Sequence, residues 1–132
     1  MQNIYYWWKN IILNKVKSYD IEHEIMIYLM CGCRPNELPP KENFDFKNNI
    51  INIYGTINDN ALHREIEMIQ SFSDYIKEYF KTNDTKKEKF VCKQFAQLCK
   101  DNNINDSRLY RLRHTFATNH FTLGTPVKYV QT

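Results

Sequence analysis

The sequence is poor in the two residues that most often interrupt regular structure. Its 132 residues include 3 glycines and 4 prolines, which mark most turns and helix ends. This scarcity predicts long helices with few sharp turns. The composition is 42% hydrophobic and 14% aromatic, enough to fill a core, so we expect one globular domain over residues 1–132 rather than a disordered segment.

Long apolar runs are absent as well, and so is a strong excess of charge of one sign. No stretch approaches the ~18 apolar residues that a membrane span needs, and the N-terminus lacks a basic region followed by an apolar run. We therefore expect a cytoplasmic protein with no membrane partner. Eighteen Lys and Arg against 15 Asp and Glu give a net charge of +3, too small to indicate a polyanionic partner. Nucleic-acid binding would have to depend on where the basic residues lie.

The four cysteines are too few for a disulfide scaffold and lack the C-x-x-C pairs of a zinc site. They are Cys31, Cys33, Cys92 and Cys99. We predict reduced thiols in the core and no bound metal ion. The histidines show no mutual ligand spacing, and His23 and His63 are expected on the surface, as are Lys86, Lys87 and Lys89.

Hydrophobic periodicity predicts mostly helices. Apolar residues recur every three or four positions over Ile4–Val16 and Ile21–Met30, with Asp20 as a helix cap and Gly32 near the helix end. Pro35 suits the start of a short helix. Further helices are predicted from Ser71 or Ser73 to Phe80, over a segment with Phe90, Phe95 and Cys99 on one stripe, from Ser107 to about Phe121, and from Thr125.

A change in residue composition and periodicity between Phe44 and Ile69 predicts a β-hairpin between the helices. Ile50–Tyr54 is β-branched and aromatic, Gly55–Asn60 is rich in turn residues, and Glu65–Ile69 alternates between polar and apolar.

The arginines are few and clustered. There are five, against thirteen lysines, and Arg108, Arg111 and Arg113 lie within six residues. A guanidinium can hold a phosphate through two hydrogen bonds, which an ammonium cannot. Clustering therefore favours phosphate binding, although a solvated basic helix end is the alternative explanation.

The residues around these arginines resemble the tyrosine recombinases, the phage integrase family. Tyr110–Asn119, which reads YRLRHTFATN, is similar to the second-arginine box of that family, His-x-Leu-Arg-His-Thr-Phe-Ala-Thr. Cys31–Leu38, CGCRPNEL, looks like the first-arginine box, Thr-Gly-x-Arg-x-x-Glu-Leu. Phe44–Thr56 and Leu123–Gln131 also resemble stretches of the family. Two boxes in the right order are more specific than either alone.

The resemblance implies a mainly α fold of the α+β class, a recombinase-like catalytic domain with a small antiparallel hairpin or three-stranded sheet. It implies site-specific recombination of double-stranded DNA through a 3′-phosphotyrosine, with no cofactor and no metal, and self-association: a tetramer in the parent protein and a dimer here. The implied catalytic residues are Arg34 and Arg113 as the phosphate clamp, Glu37 orienting Arg34, and Tyr110; the implied DNA-binding residues are Arg34, Arg64, Arg111 and Arg113.

Three departures weaken the implied activity. Tyr110 stands where the family usually has His, and a phenol is a poor proton shuttle near neutral pH. Ile57 replaces the hairpin Lys, the nearest cations being His63 and Arg64. Only 19 residues follow Arg113. We therefore expect this chain to be a truncated catalytic domain that lacks the nucleophilic Tyr and an N-terminal core-binding domain. Such a chain is not expected to cleave DNA alone.

Two other functions stay open. The first is a degenerate, non-catalytic DNA-binding or regulatory module, which the substitutions at Ile57 and Tyr110 favour. The second is a helical interaction domain whose motifs match by chance, which predicts DNA affinity insensitive to Arg34→Ala.

Overall fold

The computed structural model describes residues 13–57, 60–104 and 109. Within them lie three helices of ten or more residues and a three-stranded antiparallel sheet, so the predicted α+β class is confirmed. In chain order the main elements are α1 (Glu22–Cys31), β1 (Phe44–Asp45), β2 (Ile50–Ile57), β3 (Asn60–Glu67), α2 (Gln70–Phe80) and α3 (Glu88–Asp101). Shorter helical turns cover Leu13–Lys15, Val16–Tyr19, Pro35–Glu37 and Lys41–Asn43.

Helix α1 lies inside the domain. The periodicity predicts an amphipathic helix here, but none of its ten residues is exposed, and a helix that is apolar on nearly all sides belongs in a core. Gly32 ends the helix, as predicted, in a left-handed conformation with φ 62°. Asp20 is not its cap: it ends the preceding turn with φ 61°, and Ile21 occupies the N-cap position.

The sheet has the order β1-β2-β3, and the hairpin is longer than predicted. Pairing continues through Gly55 opposite Leu62 to Ile57 opposite Asn60, so the predicted turn over Gly55–Asn60 is wrong.

Helix α2 begins without the predicted serine cap. Its N-cap is Ile69, and neither Ser71 nor Ser73 occupies that position. Ser73 is buried and its hydroxyl donates instead to Asn49 Oδ1 at 3.0 Å. A tertiary partner, presented by the left-handed residue Asn49 (φ 55°), replaces the local cap that the sequence predicts.

The core forms where α1, the inner face of the hairpin and the apolar faces of α2 and α3 meet. The thiols of Cys31, Cys33 and Cys99 are buried, as predicted, whereas Cys92 is half-buried. Phe90 is 39% exposed, so it lies off the predicted apolar stripe of α3. The largest fully buried side chains are Ile21, Ile25, Ile27, Tyr28, Ile51, Ile53, Ile76, Phe95 and Leu98.

Two sets of predictions lie outside the described residues. They are most of the first helix, Ile4–Val16, and both helices after Asp106. Among the described residues, no helix is long and apolar enough to cross a membrane.

Candidate functional site

The segment after α1 places Arg34 at the entrance of a short turn. Arg34 has an extended backbone (φ −68°, ψ 154°), and the turn Pro35–Glu37 begins directly after it, as predicted from Pro35. The Glu37 amide donates to the Arg34 carbonyl at 2.9 Å. The hydroxyl of the buried Tyr28, in α1, donates to the Pro35 carbonyl at 2.8 Å. This hydrogen bond attaches the turn that follows Arg34 to the core.

Glu37 is a buried carboxylate shared by two arginines. Its side chain is 2% exposed. Oε1 accepts a hydrogen bond from the Arg34 backbone amide at 2.7 Å and another from Arg64 Nη2 at 3.0 Å. Arg34 Nη1 lies 3.7 Å from Oε2, at ion-pair distance. We call these three residues the arginine cluster.

The arginine cluster carries an excess of positive charge. Two guanidinium groups face one carboxylate, which leaves a net charge of +1. The Arg34 side chain is 28% exposed and that of Arg64 is 17% exposed, so Arg34 is the more accessible cation. A guanidinium fixed by a carboxylate and open to solvent can bind an anion with paired oxygen acceptors, such as a phosphodiester.

The thiol beside the arginine cluster, Cys33, is buried. A hydrogen bond with Cys31 and burial raise the pKa of Cys33 well above its usual value, and the nearby Glu37 adds to this while Arg64 opposes it. Because the thiolate is the reactive form, Cys33 acts as a packing residue, in agreement with the prediction of reduced core thiols.

The sequence-predicted site residues fall into two groups. Arg34, Glu37 and Arg64 are brought together, whereas Tyr110, Arg111 and Arg113 lie outside the described residues. Convergence of Arg34 and Arg113 therefore stays a prediction.

The two basic residues nearest to Ile57 in sequence, His63 and Arg64, lie on opposite faces of the hairpin. Arg64 pairs with Ile53 and reaches Glu37, while His63 pairs with Tyr54 across the strands. The His63 ring stacks on Tyr54 at 4.6 Å between centroids and lies 2.8 Å from Asn52 Oδ1. His63 is exposed, as predicted, and is directed away from the arginine cluster.

A second buried carboxylate was missed by the sequence analysis. Glu24 is fully buried, and its Oε2 accepts hydrogen bonds from the Lys86 amide at 3.0 Å and the Tyr79 hydroxyl at 3.2 Å. Lys86 Nζ lies 3.8 Å from Glu24 Oε1 and donates to Tyr79 at 3.0 Å. We call Glu24, Tyr79 and Lys86 the lysine–tyrosine cluster.

The predicted solvated position of Lys86 is therefore wrong, since its side chain is 24% exposed. Lys87 and Lys89, by contrast, are exposed as predicted. His23 is also not a plain surface residue, because its ring stacks on Tyr79 at 3.7 Å. The available signal was the position of Glu24 directly before the apolar run Ile25–Cys31 of α1.

The segment before α3 forms one wall of a groove next to the Arg34 turn. The groove has a volume of about 290 Å³, and Asn36 and Leu38 line its other wall. Thr85 Oγ1 donates to the Pro39 carbonyl at 2.7 Å, and Asp84 Oδ1 accepts from the Lys41 amide at 2.9 Å. In the described part of the chain, no group of three or more His, Cys, Asp or Glu residues could hold a metal ion.

The fold is similar to that of a known recombinase. The crystal structure of XerA recombinase superposes on 99% of this chain with a TM-score of 0.69 and 20% sequence identity. The match spans 53% of the XerA chain, so this chain covers about half of that protein. No family model and no curated protein matches the sequence. The fold of this chain is thus similar to that of a recombinase.

Proposed function

We propose that the protein serves phage-integrase-type, site-specific DNA recombination and that this chain carries the arginine-based phosphate-binding part. In the proposal, Arg34 and Arg113 bind the DNA phosphate, and Glu37 orients Arg34. Strand cleavage and rejoining through a 3′-phosphotyrosine belong to the full-length parent. The observation that carries the proposal is the Arg34 guanidinium beside the buried Glu37 carboxylate, in a fold similar to that of XerA recombinase.

Electrostatics supports this role for the arginines. The transition state of phosphoryl transfer gathers negative charge on non-bridging oxygens, and guanidinium groups that are already oriented bind it better than the ground state. An arginine side chain loses substantial rotamer entropy when it is ordered. Glu37 offsets part of that cost before DNA arrives, because its carboxylate is buried and shared with Arg64.

DNA binding by the 132-residue chain tests the proposal. With a fluorescent duplex of mixed sequence, Arg34→Ala is expected to lower the affinity about 3- to 10-fold and to reduce the slope of log affinity against log salt by about one. Lys81→Ala is the matched control, because Lys81 is an exposed cation paired with Glu78. Equal affinities for Arg34→Ala and Lys81→Ala would contradict the proposal.

A DNA-binding or regulatory module without cleavage is the second candidate. It is favoured by Ile57, which stands where the resemblance expects a general acid, and by the engagement of Arg64 with Glu37, which leaves that cation occupied within the cluster. The coding sequence downstream of Thr132 separates the two candidates. A Leu-Gly-His box followed by a Tyr there supports the enzyme, whereas a stop codon supports the module. Neither candidate predicts a covalent adduct of this chain with a nicked suicide substrate.

Several further features belong to the proposal. We expect action on mobile-element DNA in the cytoplasm, within a single domain over residues 1–132 that resembles the integrase catalytic domain. Self-association, as in a recombinase assembly, is also expected and is testable by sedimentation with and without DNA.

A further inference from the structure

The arginine cluster depends on a close fit between the hairpin and the Arg34 turn. A Cβ atom placed on Gly55 would lie 2.3 Å from Glu37 Oε2 and 3.1 Å from Glu37 Cδ. Both distances are shorter than ordinary van der Waals contact, so the carboxylate occupies the space that any other side chain at position 55 would need. Among the described residues the only glycine with positive φ is Gly32. A side chain at position 55 would therefore meet no backbone strain, but it would have to displace the Glu37 carboxylate.

Arg64 holds the same carboxylate from the neighbouring strand. Gly55 pairs with Leu62 and Ile53 pairs with Arg64, so Arg64 lies on the same sheet face as Gly55. Its Nη2 donates to Glu37 Oε1 at 3.0 Å. Its Nη1 is buried and has no hydrogen-bond partner among the described residues. The Arg64 guanidinium thus contacts Glu37 from the sheet face that also carries Gly55.

Glu37 in turn contacts Arg34 through both of its carboxylate oxygens. Oε1 accepts from the Arg34 amide at 2.7 Å, and Oε2, the atom nearest to Gly55, lies 3.7 Å from Arg34 Nη1. A displacement of the carboxylate by even 1 Å would change the ion pair with Arg34. A binding group that is 1 Å out of place is a common cause of lost function.

We infer that Gly55 and Arg64 are positioning residues, through which the hairpin fixes Glu37 and Glu37 fixes the Arg34 guanidinium for phosphate. This inference rests on the proposed function. It also assigns Arg64 a role other than the direct DNA contact expected from its sequence. The hairpin then contributes to the site through its glycine and its arginine.

A double-mutant cycle tests the contact between Gly55 and Glu37. Gly55→Ala is expected to lower DNA affinity about 3- to 10-fold because the new methyl group displaces the carboxylate. Glu37→Asp is expected to lower it as well, since the shorter side chain no longer reaches both arginines. In the double variant the shorter acid makes room for the methyl group, so the loss should be smaller than the product of the two single losses. A double variant whose loss equals that product would overturn the inference.

A spectroscopic measurement separates positioning from DNA contact. In the free protein, the Arg34 Nε–H resonance in a ¹H–¹⁵N spectrum should shift in Gly55→Ala and in Arg64→Lys, which keeps the charge but loses the planar fork. The control is His63→Ala, on the opposite face of β3, which should leave this resonance unchanged. An unshifted Arg34 resonance in folded Gly55→Ala or Arg64→Lys would overturn the inference.

The two experiments also distinguish the inference from the proposed function. If Arg34→Ala leaves DNA affinity unchanged while the Arg34 resonance still shifts in Gly55→Ala, the positioning contact is supported and the phosphate role fails. If Arg34→Ala weakens DNA binding while Gly55→Ala and Arg64→Lys change neither readout, the proposed function stands and the inference fails. Where Gly55→Ala does not fold, Arg64→Lys decides the question.

Discussion

The lysine–tyrosine cluster and the arginine cluster are each built around one buried glutamate, but their charges differ. In the former, Glu24 faces one cation, Lys86, so the cluster has no net charge. In the latter, Glu37 faces two arginines, and the net charge is +1. The first connects α1 to α2 and to the segment before α3, and the second connects the Arg34 turn to the hairpin.

This comparison shows that burial of a charged group does not by itself indicate function. A carboxylate leaving water is costly unless it is paired and hydrogen-bonded, and both glutamates meet that condition. Only the arginine cluster combines excess positive charge with partly exposed guanidinium forks, which match the geometry of a phosphate. We therefore expect the two clusters to respond differently in assays of stability and of DNA binding.

The largest expected effect separates the clusters by stability. Glu24→Ala should lower the free energy of unfolding by about 3 kcal/mol, because it leaves the Lys86 amide and the Tyr79 hydroxyl without their buried acceptor. Urea denaturation measures this loss. The control is Glu78→Ala, which removes an exposed carboxylate 2.8 Å from Lys81 and should cost less than about 0.5 kcal/mol. The comparison fails if the folded Glu24→Ala variant also loses DNA affinity.

The second prediction concerns the arginine cluster. Glu37→Gln should lower the free energy of unfolding by about 2 kcal/mol, since a neutral amide replaces the carboxylate between two guanidinium groups. Unlike Glu24→Ala, it should also weaken DNA binding, because Arg34 loses its charged partner. Denaturation and fluorescence anisotropy on the same sample measure both effects. A loss of stability with unchanged DNA affinity would place Glu37 with Glu24 as a purely structural residue.

The third prediction tests the hydroxyl at the centre of the lysine–tyrosine cluster. Tyr79→Phe should lower the free energy of unfolding by about 1 kcal/mol. The reason is that the hydroxyl lies within hydrogen-bond distance of Glu24, Lys86 and the Asp84 carbonyl. Tyr54→Phe is the control because Tyr54 is 56% exposed, and its thermal midpoint should hardly change. Equal midpoint shifts for the two variants would contradict the structural role of Tyr79.

The smallest expected effect is a pH dependence of the free energy of unfolding, caused by His23 at the edge of the lysine–tyrosine cluster. Burial lowers the pKa of His23, and Lys86 lowers it further, while Glu22, Glu24 and Asp20 partly oppose the shift. The folded state therefore binds a proton less readily than the unfolded state, in which the pKa is about 6.5. The contribution of His23 to stability is present above that pH and is lost as the pH falls through the folded-state pKa.

His23→Phe keeps a ring against Tyr79 and removes the titrating group. Between about pH 7.5 and about pH 5.5, the unmodified chain should lose more free energy of unfolding than this variant. Parallel pH dependences for the two proteins would show that the His23 ring titrates as it does in the unfolded chain.

Much of the fold was predictable because it depends on local patterns. The end of α1 at Gly32, the turn starting at Pro35 and a β-hairpin between helices follow from residue type and hydrophobic period. The errors have tertiary causes. Ser73 bonds to Asn49 instead of capping α2, and β2 runs past Gly55 because its pairing with β3 continues. α1 is enclosed because helices and sheet surround it.

The candidate site was predictable in part. Arg34, Glu37 and Arg64 were singled out from the sequence, and the structure brings them together. Their arrangement could not be predicted, because Glu37 and Arg64 are 27 positions apart and meet only when the hairpin lies against the turn. Glu24 and Lys86 are 62 positions apart, and neither has a neighbour in sequence that reveals their pairing.

The sequence by itself determined the order of the elements, the place of the Arg34 box after α1 and the reduced state of the core thiols, since these depend on residue type and short spacings. Only the tertiary structure decided which of the glutamates are buried, which cations pair with them, and that Gly55 lies against the Glu37 carboxylate. The physical reason is that burial, charge pairing and steric fit are properties of groups brought together from distant parts of the chain.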